Sequence, residues 1–293
     1  MRRTLSVISV FLLTGKLWGA CSNTAVGPYT LCGSNYIDLT VSSVTLSYSP
    51  AAGNGIIAYG TWCFDTNCQT SSAGITATIG DNINATESCF TASPHSPWIS
   101  NGNGGAQGSG DFQQHYVWYC PSIPSGVTSF TMAPSNTSMF YLQLSVSEWK
   151  TGSLASSCSP VSNCMENVDN LSQLGSTVGE SSWSLLSTNG ATTNANDLIF
   201  AAVSIPCCSF TSSPDPLYTG IVVAPSGTPG FVSEAISVTA TGTQTATTHW
   251  TGGNTWWFGP IVPIKAAPAV SGATNVNITG ATAMKGKVSI SWP

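Results

Sequence analysis

Charge is what this chain of 293 residues has least of: Asp, Glu, Lys and Arg together make up 6% of it, against roughly 25% in an ordinary soluble domain. Beyond Arg3 it contains no arginine. A chain so poor in cations has no basic stripe with which to neutralise phosphates, so nucleic acid is excluded as a partner. Helix surfaces are normally written in Glu, Lys and Arg, and their scarcity argues against a helical fold. Histidine is nearly absent too, with His95, His115 and His249 too far apart to form a ligand motif. No H-E-x-x-H, H-x-x-E-H or G-x-S-x-G occurs, and no motif calls for a cofactor. Long apolar runs are missing apart from Leu5 to Leu13, which is too short for a bilayer core needing about 20 residues. No integral membrane span is expected in the mature chain.

That one apolar run lies in an ordered leader. Arg2 and Arg3 form a basic n-region, LSVISVFLL an apolar h-region, and TGKLWGA a polar stretch ending in the small Ala20. Residues 1–20 therefore read as a signal peptide cleaved near Ala20, and the protein as secreted or displayed at a cell surface. Gly19-Ala20-Cys21 resembles the end of a lipoprotein cleavage box, but Trp18 stands where that box has a small or aliphatic residue. Cysteine parity agrees: ten cysteines can all pair, whereas a lipid anchor at Cys21 would strand one. Loss of the leader removes Arg2, Arg3 and Lys16 and leaves four lysines against twelve acidic residues, a formal balance of −8.

All ten cysteines follow the leader, as expected for a protein oxidised after export. By proximity they group as Cys21 with Cys32, Cys63 with Cys68, Cys89 with Cys120, Cys158 with Cys164, and the adjacent Cys207 and Cys208, although spacing does not dictate connectivity. Zinc is disfavoured, because the gaps are C-x4-C and C-x5-C rather than C-x2-C knuckles. The mature length can bury a core unaided, so the bridges read as loop staples, each contributing on the order of 2 to 3 kcal/mol. Cys207 and Cys208 either form a rigid turn after Pro206 or join two separate bridges; a vicinal bond, strained and reducible, is the rarer case.

Short runs alternating Thr, Val, Tyr and Trp with polar residues, separated by Gly or Pro, read as antiparallel strands. The clearest is MFYLQLSVSEW at 139–149, with Phe140, Leu142, Leu144 and Val146 on one face and Gln143, Ser145 and Ser147 on the other, one core and one wet. DLIFAAVSI at 197–205 is apolar on both faces and belongs in the middle of a packed layer. Pro260 and Pro263 place the run 256–264 at an edge or a bulge. One helix is expected from Asn163, capped by Glu166, with Met165, Val168, Leu171 and Leu174 as its stripe and Gly175 ending it. The expected fold is all-β, a two-sheet antiparallel β-sandwich over 21–265 with disulfide-stapled loops and one short helix. Residues 266–293 form a linker and a short C-terminal β tail carrying strand patterns at 275–279 and 288–292.

Four segments carry a family likeness: VTSFTM at 127–132, YLQLSVSEWKTG at 141–152, TTNANDLIF at 192–200 and the run 238–265. They resemble exported bacterial β-sandwich domains, immunoglobulin-like or jelly-roll-like, that often stand beside immunoglobulin-like repeats. Those domains have an EYSG-like strand end, a T-N-A-N-D-L motif and a last aromatic strand ending in FK; here the first reads Glu148-Trp149-Lys150-Thr151-Gly152 and the last Pro263-Ile264-Lys265. The resemblance implies fold and export. It transfers no site, since the family has no assigned activity. The chain departs from it in its cysteines and in the insertion 93–114.

Three features could carry chemistry. Glu148 falls in phase with the core residues of its strand, and a carboxyl held at the end of an apolar face is one way to make a general acid. No second carboxylate lies near it in sequence, so acceptance of N–H bonds from an adjoining loop is the stronger expectation, with Asp197 and Glu234 as distant acids that could approach in space. The insertion is glycine-rich from Gly102 to Gly110 and reads as a surface loop with Trp98, His95 and Asp111 near its base. Aromatic faces beside Asn, Gln and Asp are how many sandwiches hold sugars, though Trp98 can equally anchor the loop. Asp65-Thr66-Asn67 and Asp81-Asn82-Ile83-Asn84 lack the glycine and distal Glu of a calcium-binding EF-hand loop.

Together these features predict an exported structural or adhesive module with weak affinity for glycan or another cell-surface component. A secreted polysaccharide hydrolase using Glu148 as acid is the alternative. Non-reducing peptide mapping of the exported protein should find Cys21 in a disulfide, with Cys32 as the expected partner; an acylated or free Cys21 would overturn the unlipidated reading.

Overall fold

Alternation of apolar and hydroxyl side chains makes strands wherever it occurs in this chain. The computed structural model describes residues 21–63, 75–83, 114–136, 140–152, 154–155, 164–165, 172–174, 186–188, 191–226, 228–252 and 257–267. Among these residues there are sixteen strands and no α-helix. They assemble into four antiparallel sheets.

The first sheet has five strands in the order β1 (Thr24–Val26), β2 (Tyr29–Val41), β8 (Phe140–Trp149), β4 (Gly55–Cys63) and β6 (Gln114–Cys120). A second sheet, of six, runs β12 (Thr219–Val223), β13 (Thr228–Ser237), β11 (Leu198–Ser213), β16 (Phe258–Ile264) and β9 (Ser172–Leu174), with β15 (His249–Thr251) paired to the far end of β11. Three strands, β3 (Val44–Ser47), β7 (Ser129–Pro134) and β5 (Ala77–Asp81), make the third, and β10 (Leu186–Ser187) with β14 (Thr245–Ala246) the fourth.

Strand parity explains the packing. Ile57, Tyr59, Val117, Tyr119 and Trp149 project from the five-stranded sheet into one apolar cluster with Leu198, Phe200, Ala202, Phe231 and Val262 of the six-stranded sheet. Their neighbours Ile56, Ala58, Trp62, Leu142, Leu144 and Val146 point the other way, onto Val44, Leu46, Phe130 and Met132 of the three-stranded sheet. The far face of the six-stranded sheet holds Ile199, Ala201, Val203 and Ile261, covered by Leu186, Ala246, Trp250 and Trp257. β4 is consequently buried at all nine of its residues, and β11 lies between β13 and β16 with both faces covered, as its doubly apolar pattern requires.

Two expectations are corrected. The second face of β8 is not wet: Gln143, Ser145 and Ser147 are buried, because the six-stranded sheet covers it. The helix expected from Asn163 is extended chain where it is described, with Met165 bridging Ile264 and Ser172–Leu174 pairing with Phe258, Gly259 and Pro260. The exposed N–H and C=O groups along the outer side of β16 offer a partner that a lone amphipathic turn lacks; the rest of that segment lies outside the described residues, as do the tail patterns at 275–279 and 288–292.

β16 is the next-to-last strand of its sheet rather than its edge, and β9 covers only three of its residues. Its ladder to β11 skips Ala202 and Val203, opposite Pro260 and Gly259, since proline has no N–H to give. There the backbones approach so closely that a Cβ on Gly259 would sit 1.9 Å from the Ala202 carbonyl oxygen. Gly259→Ala should therefore cost about 3 kcal/mol in urea denaturation, because a backbone atom cannot swing aside. Gly152→Ala, with a φ of 79° and nothing within 4 Å of the new Cβ, should cost only about 1 kcal/mol of left-handed strain.

Candidate functional site

At one end of the seam between the two large sheets the apolar cluster gives way to polar side chains. β2 pairs with β8 so that Asp38 faces Gln143, and both point, with Tyr36 and Tyr141, toward the six-stranded sheet. Tyr141 donates its hydroxyl to Asp38 Oδ2 at 2.7 Å and Tyr36 donates to the same oxygen at 3.3 Å. Gln143 Nε2 donates to the Tyr36 hydroxyl at 2.9 Å and the Tyr141 hydroxyl at 3.3 Å, while its Oε1 accepts from Ser204 of β11. The Tyr36 ring stacks on Phe231 with centroids 4.5 Å apart.

Gln143 and Ser204 are fully buried, whereas Asp38 and Tyr36 are half-buried at the rim. Burial pushes the Asp38 carboxyl above its ordinary range, against the pull of the hydrogen bonds it receives. Burial and the adjoining carboxyl also raise the phenols of Tyr36 and Tyr141, which stay protonated as donors. Deeper in, His115 lies 5.8 Å from the Tyr59 ring, and burial lowers its imidazole to about 3, so it is neutral at physiological pH. What results is a fixed acceptor with two phenols behind it, opening at the edge of the seam.

Glu148 has another role. It lies at the end of the face that packs on the three-stranded sheet, and both its oxygens are engaged: Oε2 accepts from the Tyr48 hydroxyl at 2.6 Å, and Oε1 from the Ala51 N–H at 2.7 Å and Asn54 Nδ2 at 2.6 Å. Asn54 Oδ1 in turn receives the Thr151 N–H and hydroxyl, each at 2.9 Å. The E-W-K-T-G segment is thus a knot that fastens the 48–54 connection to the end of β8. Neither Asp197, just before β11, nor Glu234, on β13, joins it. T-N-A-N-D-L is a second knot, in which Asn196 with a φ of 73° gives its N–H to the Val238 carbonyl. Asp197 Oδ1 accepts from the Ala266 N–H at 3.3 Å, and the Tyr29 hydroxyl donates to the Asn196 carbonyl.

Cys21 is bonded to Cys32, and Cys63, Cys120 and Cys164 are also disulfide-bonded. Cys68, Cys89 and Cys158 lie outside the described residues, and Cys207 and Cys208 fall within β11 with side chains outside the described set. Trp98, His95 and Asp111 also lie outside the described residues. Among the described residues no cluster of His, Cys, Asp or Glu has the makings of a metal site, and no helix is long and apolar enough to cross a membrane.

Reasoning from the sequence passed over Asp38, Tyr36 and Tyr141. Its only local signal was a lone carboxylate two residues from a tyrosine in a strand; the register that sets it against Gln143 and Tyr141 spans more than a hundred residues. No family model, curated protein or solved structure matches this chain.

Glu148→Ala should destabilise the protein by about 3 kcal/mol, because it leaves a phenol, an amide and a backbone N–H without their buried acceptor. Glu148→Gln keeps an acceptor on Asn54 and Ala51 and should cost about 1 kcal/mol. Urea denaturation of the two variants gives the ratio.

Proposed function

We propose that this chain is an exported structural or adhesive module that holds neutral saccharide weakly at the Asp38 rim. The five-stranded and six-stranded sheets are read as the two layers of its disulfide-stapled β-sandwich, immunoglobulin-like or jelly-roll-like, with the smaller sheets laid on their outer faces. The observation that carries the saccharide reading is the half-buried Asp38 carboxyl, fixed on one oxygen by Tyr141 and Tyr36. The carboxyl is only half-buried at the rim, where a ligand hydroxyl can reach it and donate to it.

Sugars are recognised in this way, by a few oriented acceptors beside aromatic surface. A neutral glycan also avoids the repulsion that an acidic ligand would meet from a chain of formal balance −8 after loss of the leader. Export is supported by residues 1–20, read as a signal peptide, and by the Cys21–Cys32 bond, since disulfides persist in oxidising compartments.

The test is to present the exported, oxidised protein to a panel of cell-wall and plant glycans and to score both binding and cleavage. Binding without cleavage is expected, weakened about tenfold or more in Asp38→Ala, as fits the loss of a hydrogen bond to a charged group. Silence across the panel would sink the saccharide reading; release of reducing ends would replace the module with a hydrolase.

A further inference from the structure

A second buried carboxyl lies far from the Asp38 rim. Glu234 is on β13, paired to Ala201 of β11 and Gly220 of β12, and it has 0% of its surface exposed on the outer side of the six-stranded sheet. Two segments meet on it: Oε2 accepts the Asp215 N–H at 2.6 Å, and Oε1 accepts the Thr248 hydroxyl at 3.2 Å. The same two segments are tied to each other. Asp215 Oδ1 takes the Leu217 N–H and Oδ2 the Thr247 N–H, both at 2.8 Å, and the Tyr218 hydroxyl donates to the Thr245 carbonyl at 2.9 Å.

Every group that faces Glu234 bears on its proton. The paired residues of β11 and β12 are Ala201 and Gly220, which bring no charge. From loop 214–218 comes the Asp215 carboxyl, of the same sign, and the Tyr218 phenol, held neutral because burial raises it. From the 245–251 segment comes Thr248, while His249 beside it is exposed. Among the described residues no cation acts on Glu234.

We propose that Glu234 is a proton-operated latch: in its neutral form it pins loop 214–218 and the 247–248 segment to the outer face of the sheet, and on ionising it releases them. In the neutral form the carboxyl O–H lies within reach of the Thr248 hydroxyl oxygen, and the other oxygen still takes the Asp215 N–H. Ionised, the same cage must hold a charge without water, beside a second carboxyl.

Burial, opposed in part by these two hydrogen bonds and helped by Asp215, moves the titration of Glu234 from 4.5 up to about 7. Between those values the folded chain keeps a proton that the unfolded chain gives up. The latch is therefore fully stabilising below about 4.5 and is lost as pH rises through about 7. The released loop carries Leu217, already 79% exposed, and leads directly into the edge strand β12.

Hydrogen exchange of the whole protein, corrected for the intrinsic pH dependence of exchange, tests this between pH 5 and pH 8. Protection of the Asp215 and Thr247 amides is expected to fall about tenfold or more in that interval, while Phe200 at the centre of β11 holds its protection. In Glu234→Gln the fall should disappear. An equal fall in that variant, or none in the natural protein, overturns the latch. If the variant does not fold, a carbon-13 titration of the Glu234 carboxyl decides: a midpoint near 7 supports the latch and one near 4.5 refutes it.

Discussion

A strand covered on both faces cannot leave a polar side chain to water, and β4 and β8, in the middle of the five-stranded sheet, are covered on both. Each polar group that the sequence places on β8 and β4 must find its partner inside the protein or be charged an unpaid desolvation of about 1 to 3 kcal/mol. Ser147 gives its hydroxyl to the Ile57 carbonyl and accepts the Trp149 indole N–H. Gln143 joins Tyr36, Tyr141 and Ser204 at the seam. The register of β2, β8 and β4 is therefore fixed by polar matching as well as by the apolar alternation, since a slip of one residue would send Gln143 and Ser145 into the cluster around Trp62 and Leu144.

The same constraint explains why the 148–152 and 193–198 segments are fasteners. Glu148 and Asn54 close the turn beyond β8, and Asn196 and Asp197 close the approach to β11. Each supplies acceptors or donors for backbone groups that a strand end leaves open. Motifs of this kind record how a fold is tied together. They can be shared by proteins with unrelated ligands, and no chemistry passes with them.

Strand positions were legible in the sequence because period-two alternation and Gly or Pro punctuation are local. β8 and the first half of β11 lie within a residue or two of the runs 139–149 and 197–205. Which sheet each strand joins was not legible. Ser145 and Ser147 look solvent-facing in isolation, and only the six-stranded sheet, whose central strand β11 begins more than fifty positions further on, makes them internal. The 163–175 segment failed differently: apolar spacing suited a helix, but the outer side of β16 offered its backbone a pairing partner. Asp38 was missed because its significance lies in its cross-strand neighbours.

In a chain with so few charges, carboxyls met by neutral donors stitch distant segments together. Asp38 holds Tyr141, Glu148 holds Ala51 and Asn54, Asp197 holds Ala266, and Glu234 holds Asp215 and Thr248. Except for those of Glu234, these bonds join groups at least 69 positions apart, so they close long loops that the unfolded chain would leave open. An acceptor met by neutral donors avoids the double desolvation of an ion pair, but its own charge must still be tolerated. Glu148 has three donors and no acidic neighbour among its contacts. Glu234 has two donors and a carboxyl at its side, and there the balance tips toward the neutral form. Few donors and a like charge at its side are the two conditions under which a buried carboxyl keeps its proton, and Glu234 meets both.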